Sequence, residues 1–230
     1  MKRSRIIMTT LNIVWIAAIF VMNYFYQLNN FDFTLKCICS GAAALLGLVN
    51  LAYALTERRE NDRFFVAMAA GLLLSFFGDV LIRYDFIIGA ATFALGHVCF
   101  AVAYCFVRRM QAIDYAVSGA LCVGSAAFLL FFPLLRFDEP LFRAVCVVYA
   151  LIISVMLGKA IGNFVRKRSL SNATVALASA LFFFSDLMLV LDWFIGLWDW
   201  TNNACMGTYY PALCLLAFSM MLKAAEPKEQ

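Results

Sequence analysis

Two aspartates sit where acidic residues are rare. Asp79 and Asp186 fall inside long apolar stretches of this 230-residue chain, next to Phe77-Gly78 and Phe184-Ser185. A charge at the centre of a spanning helix costs about 2.5–3.5 kcal/mol on insertion scales, so such a residue faces a cavity or a partner and marks a functional site by default. The competing reading is a carboxylic acid hydrogen-bonded between helices. Two carboxyl groups in a dry setting can divide an acid role and a base role, which suits proton-transfer catalysis or proton-coupled transport. The one histidine, His97, shares a helical face with Gly89, Phe93 and Ala101, and Tyr104 follows a turn later. It would either orient an aspartate or a water, or serve as a hydrogen-bonded core residue. Lys36 and Arg143 stand at the starts of apolar stretches, where a cation either snorkels to the interface or captures a lipid phosphate. Tyr209 and Tyr210 precede Pro211, which can bend a helix and open a cavity. With a single histidine and no Cys-x-x-Cys pair among eight cysteines, no metal site is expected, and no organic cofactor is implied. The cysteines read as small buried hydrophobes.

The elements that must position these residues are transmembrane helices. The chain is 65% hydrophobic and only 14% charged, with a mean hydropathy of +0.87. A soluble domain carries about 25% charged residues. Eight stretches are long enough for the roughly 20 apolar residues that a spanning helix needs: Ile6–Tyr26, Leu35–Leu55, Phe64–Ile82, Phe86–Val107, Tyr115–Phe132, Phe142–Phe164, Thr174–Gly196 and Cys205–Leu222. A bilayer leaves backbone groups no water, so helices are expected, and a barrel would show short alternating segments instead. The expected fold is all-α: one polytopic membrane helix bundle of eight transmembrane helices over residues 1–230, a multi-pass protein of the bacterial cell membrane.

Basic residues cluster at alternate connections: Lys2, Arg3 and Arg5; Arg58, Arg59 and Arg63; Arg108 and Arg109; Arg166, Lys167 and Arg168; Lys223 and Lys228. Basic loops stay in the cytoplasm, which predicts an N-in/C-in orientation. The net charge of +4 therefore reflects topology, and its scatter over separate helix ends gives no support for a nucleic-acid partner. The first stretch is too long for a signal peptide and is read as a retained helix.

The third and seventh stretches read alike. Phe77-Gly78-Asp79 is followed by Asp85 and Gly89, and Phe184-Ser185-Asp186 by Asp192 and Gly196. The same offset pairs Lys36 with Arg143 and Arg59 with Arg166. A parallel 4+4 repeat, with halves 1–113 and 114–230, would produce this pattern. It would put Asp79 and Asp186 at matching depth, each about 9 Å inside the second aspartate. Asp192, Asp199, Asn202 and Asn203 are expected to form a solvated rim.

At these residues the sequence resembles the YhhN-like lysoplasmalogenase family. The matching pieces are Gly71 with Gly78-Asp79; Phe93, Gly96-His97 and Tyr104; and Phe183-Phe184-Ser185-Asp186. Lys36 and the Tyr209-Tyr210 pair fall where that family has a lysine early in its second span and aromatics in its last, although Cys37 and Leu213 depart from its pattern. The resemblance implies a hydrolase acting on a lysophospholipid within the bilayer. Its reaction would cleave the vinyl-ether bond of an alkenylglycerophosphocholine or alkenylglycerophosphoethanolamine to a fatty aldehyde and a glycerophospho-base. That chemistry needs a carboxylic acid to protonate the β-carbon and a nearby carboxylate to meet the resulting oxocarbenium ion, much as two carboxyls serve in glycosidases. Asp79 and Asp186 would divide these roles, with His97 orienting one of them or the water. Lys36 and Arg143 would hold the phosphate, and Tyr104, Tyr209 and Tyr210 would contact the lipid. A proton-coupled lipid or small-solute transporter, or a non-catalytic membrane sensor, remains the competing class.

Overall fold

A computed structural model describes residues 2–29, 31–57, 62–137, 139–196 and 198–226. Arg58, Arg59 and Lys228 lie outside the described residues, as do the side chains of Lys2 and Asp199. The described residues form eight helices and no strand: α1 (Lys2–Leu28), α2 (Phe33–Glu57), α3 (Asp62–Leu81), α4 (Phe86–Val107), α5 (Ala112–Phe131), α6 (Pro140–Arg166), α7 (Leu170–Ile195) and α8 (Trp198–Ala224). All eight are long and apolar enough to cross a membrane. Large apolar side chains such as Val14, Val123, Phe131 and Val148 point outward, a surface that lipid accepts and water does not. The chain is an integral multi-pass membrane protein.

Local chemistry sets the helix ends. Asp85 caps α4 by accepting from the Ile88 amide at 2.9 Å, and Ser169 caps α7 through the Asn172 amide at 3.2 Å. Pro140 opens α6, where its missing N–H costs nothing. Gly196 ends α7 with φ +65°, the left-handed conformation that glycine adopts without strain. Most ends agree with the expected spans to within a few residues. The exception is α8, which starts seven positions before Cys205. Its polar first turns were read as rim, but Thr201 is buried and donates to Asp192 at 2.9 Å, which lets the helix begin early. The paired second aspartates also differ: Asp85 caps α4, whereas Asp192 lies within α7.

Helix α8 is the core of the bundle and packs against α7, α2, α1 and α3, while α4 packs on α3 and α6. Neighbour relations recur between the halves: α3 lies on α4 as α7 lies on α8, and α2 meets α8 as α6 meets α4. Among the described residues α5 packs on α6 alone. Amide pairs replace hydrophobic forces that are absent between helices in lipid. Asn12 and Asn50 donate to each other at 2.9 and 2.7 Å, and Asn50 also reaches the Ala217 carbonyl at 2.8 Å, joining α1, α2 and α8.

An ionic knot ties α5 to the bundle at the end carrying Arg108 and Arg109. Lys159 and Asp114 are fully buried and lie 3.0 Å apart, and Arg166 reaches the other Asp114 oxygen at 2.8 Å. Lys159 also donates to the Arg109 carbonyl at 3.2 Å and to Asn163 at 3.0 Å. The helices touch closely here, since a side chain at Gly158 would collide with Ser118, and one at Gly162 with Asp114. The sequence assigned Lys159 and Asp114 no role, because ionisable residues near a span's end are expected to snorkel outward.

Removing one member of a buried ion pair strands the other's charge. Asp114→Ala should lower the stability of the detergent-solubilised protein by about 3 kcal/mol or more, read as a fall in thermal midpoint. The exposed helix cap Asp85→Ala should cost only about 1 kcal/mol. Equal midpoints for the two variants would refute this role for the knot.

Candidate active site

Asp79 lies near the end of α3, on a face built from small residues. A side chain at Gly71 would strike the Phe100 ring and one at Gly78 the Phe93 ring, so α3 and α4 can approach closely only because both positions are glycine. This approach leaves Asp79 just 2% exposed. Three donors surround its carboxylate. The Lys36 ammonium stands 3.2 Å from Oδ1, the Tyr209 hydroxyl donates to Oδ2 at 2.7 Å, and Ser40 donates to the same oxygen. Ser40 follows Lys36 by one turn of α2, so one helix face supplies both partners. The single Ser40 proton is shared with the Lys36 carbonyl, to which the Tyr210 hydroxyl also donates at 3.3 Å.

Asp186, on α7, belongs to a second cluster. Its Oδ2 accepts from the Tyr149 hydroxyl of α6 at 2.7 Å and lies 3.1 Å from His97 Nε2 of α4. His97 Nε2 and the Tyr149 oxygen are 2.7 Å apart. With the Tyr149 proton directed at Asp186, the tyrosine oxygen can only accept, so Nε2 carries a proton shared between Tyr149 and Asp186. That tautomer is assigned from the hydrogen-bond pattern. It leaves Nδ1 as the free position of a fully buried ring, with no hydrogen-bond partner among the described residues. Asp186 Oδ1 also takes no described hydrogen bond. The ring of Phe182 packs edge-on against His97 at 4.6 Å and holds it in place.

No described hydrogen bond joins the two carboxylates. The clusters are linked through aromatic rings: Tyr209, bonded to Asp79, packs on Phe182 at 5.3 Å, and Phe182 packs on His97. The arrangement is therefore two adjoining polar sites, whereas a single pocket with facing acids was expected. His97 meets Asp186 and makes no described hydrogen bond to Asp79.

Asp186 and Tyr149 stand in the wall of an apolar groove of about 340 Å³ between α5, α6 and α7. Among the described residues the backbones of α5 and α7 make no close approach, and the groove lies between them. A cavity of about 30 Å³ on the α3–α4 side touches the same two residues.

Two expected members stand apart from both clusters. Tyr104 is buried, and its hydroxyl meets Ser179 at 3.0 Å. It lies two turns past His97, about 10 Å along the axis, and ties α4 to α7. Arg143 is exposed at the start of α6, with its guanidinium over the Phe137 ring at 5.5 Å. Sequence reasoning missed Tyr149 and Ser40. The signal for Ser40 was its spacing of four from Lys36; for Tyr149 it was a lone hydroxyl in the middle of an apolar span.

No curated protein and no solved structure matches this sequence. A model of the YhhN family matches residues 33–220, which takes in α2 to α7 and nearly all of α8. With both aspartate clusters inside that match, the chain belongs to the YhhN family.

Proposed function

We propose that the protein is a membrane hydrolase that cleaves the vinyl-ether bond of lysoplasmalogens. The products would be a fatty aldehyde and a glycerophosphocholine or glycerophosphoethanolamine. The observation that carries this reading is the Asp186–Tyr149 pair in the wall of an apolar groove between α5, α6 and α7, with the buried His97 behind it bonded to both. Proton-handling groups there would meet a hydrocarbon substrate without leaving the bilayer.

Asp186 Oδ1 delivers a proton to the β-carbon; the double-bond electrons form the new C–H bond, and the ether oxygen stabilises the oxocarbenium ion. Water adds to the α-carbon and gives a proton to the Asp186 carboxylate that the first step leaves, while His97 Nε2 holds that carboxylate in place. The hemiacetal then collapses: its hydroxyl becomes the carbonyl, the C–O bond to glycerol breaks, and the proton lost by the hydroxyl passes to the glycerol oxygen. One water is consumed, and Asp186 ends protonated as it began. Asp186 Oδ2, held by Tyr149 and His97, keeps the acid oriented. Positioned acid–base groups of this kind contribute about 10²–10⁴ in rate.

Asp79 enters as a positioning residue. Its oxygens are occupied by Lys36, Ser40 and Tyr209, which fixes the ammonium where a lipid phosphate could meet it. The clusters also support the repeat as a proposal. Asp79 is approached from α2 and α8, and Asp186 from α6 and α4, which is the correspondence a 4+4 arrangement requires. Basic connections at one end support placing that end in the cytoplasm.

Purified protein in nanodiscs should release aldehyde from lysoplasmalogen. Asp186→Asn and His97→Gln should each lower kcat by about a hundredfold or more. Lys36→Met should chiefly raise KM. Unchanged turnover in Asp186→Asn would remove that residue from the mechanism. Flux of the lipid across proteoliposomes without any aldehyde would favour transport.

A further inference from the structure

We infer that the groove between α5, α6 and α7 is the binding site for a single hydrocarbon chain, and that Gly124 leaves open the space this chain fills. This rests on the reading that the protein acts on a single-chain lipid.

Four observations point the same way. First, the groove's walls are apolar except for Ser125, Tyr149 and Asp186, so it offers an extended hydrocarbon surface with acid–base groups in its wall. Second, its wall on α5 runs from Ala120 to Leu129, about 14 Å at 1.5 Å per residue. The volume of about 340 Å³ has no room for a helix, whose diameter with side chains is about 10–12 Å. Third, α5 is held at one end by the Lys159–Asp114–Arg166 knot and its backbone makes no close approach to α7 among the described residues, so a chain can enter between them. Fourth, a Cβ built on Gly124 meets nothing within 4 Å, although Gly124 lines the groove. No backbone turn or close helix approach requires glycine there. A larger side chain would cost the fold little and would occupy the space a ligand needs. A rival groove of about 460 Å³ between α4 and α6 touches Tyr149 but not Asp186, so a chain lying there would be separated from the acid.

The test uses a non-hydrolysable hexadecyl-ether lysophosphatidylcholine with a photoreactive diazirine at the tail, added to the full-length protein in nanodiscs. The expected result is adducts on the α5 segment 120–129 and the facing parts of α6 and α7, competed away by unlabelled hexadecyl lipid. Gly124→Phe should weaken binding of that lipid about tenfold or more. Gly119→Phe, at a glycine equally free of neighbours but outside the groove, should leave it unaffected. Adducts concentrated on the α4 segment 87–98 or on α1, or equal hexadecyl binding by Gly124→Phe and wild type, would overturn the assignment. A hexadecanoate probe of the same design separates sources: labelling by it alone would mean that the groove takes free fatty chains and would overturn the lysolipid assignment. None of these readouts needs turnover, so absence of vinyl-ether cleavage would overturn the proposed reaction while leaving the chain site standing.

Discussion

A charge inside a bilayer must find a partner, because neither lipid nor the protein interior repays the loss of its water. This constraint organises the molecule. Lys36 meets Asp79, Asp186 meets His97, and Asp114 meets both Lys159 and Arg166. Each group joins two or more helices that apolar packing alone would hold weakly in lipid, where hydrophobic burial between helices gains little. The groups differ in what they leave over. The knot at the basic end saturates the Lys159 ammonium with three acceptors and acts as an anchor. The Asp79 cluster spends its carboxylate on three donors. The Asp186 cluster leaves a ring nitrogen and a carboxyl oxygen unbonded, and it alone borders the groove between α5, α6 and α7. A group with an open valence beside a place for substrate is suited to chemistry, and that asymmetry separates Asp186 and His97 from the other buried ionisable residues.

Aromatic packing enforces the separation. Phe182 and Tyr209 link the two clusters while keeping the carboxylates from sharing hydrogen bonds. Like charges brought into direct contact would disfavour one another's ionisation. Held apart, one can remain paired with a lysine while the other exchanges protons with histidine. Glycines at 71 and 78 leave room for the Phe100 and Phe93 rings that α4 packs against α3, since a Cβ at either position would strike them.

The fold was largely legible in the sequence because hydropathy reports directly on the solvent of each segment. All eight helices and most of their ends follow from it, and the α8 start was missed only where a buried threonine and aspartate satisfy one another. Asp79, Asp186, His97, Lys36 and Tyr209 could be singled out because polar groups in lipid are costly and therefore conspicuous. Which of them pair could not be read, since pairing depends on rotation and tilt of helices distant in sequence. His97 lies 89 positions from Asp186. Tyr149 was missed because a tyrosine is apolar enough to pass as packing, and Tyr104 was expected at the site because one-dimensional spacing does not register two further helical turns. The resemblance to the YhhN-like family on the Gly-Asp and Gly-His pieces agrees with the family match over 33–220.

In the proposed reaction a buried acid protonates the carbon end of a vinyl ether, and water then attacks the neighbouring carbon. Hydrolysis in oxygen-18-labelled water tests it most directly. If the proposed sequence operates, the glycerophospho product retains its original oxygen and carries no label, because the bond to glycerol breaks only when the hemiacetal collapses. Labelled oxygen in that product would mean attack at the glycerol carbon, and that result, or no turnover at all, would contradict the mechanism.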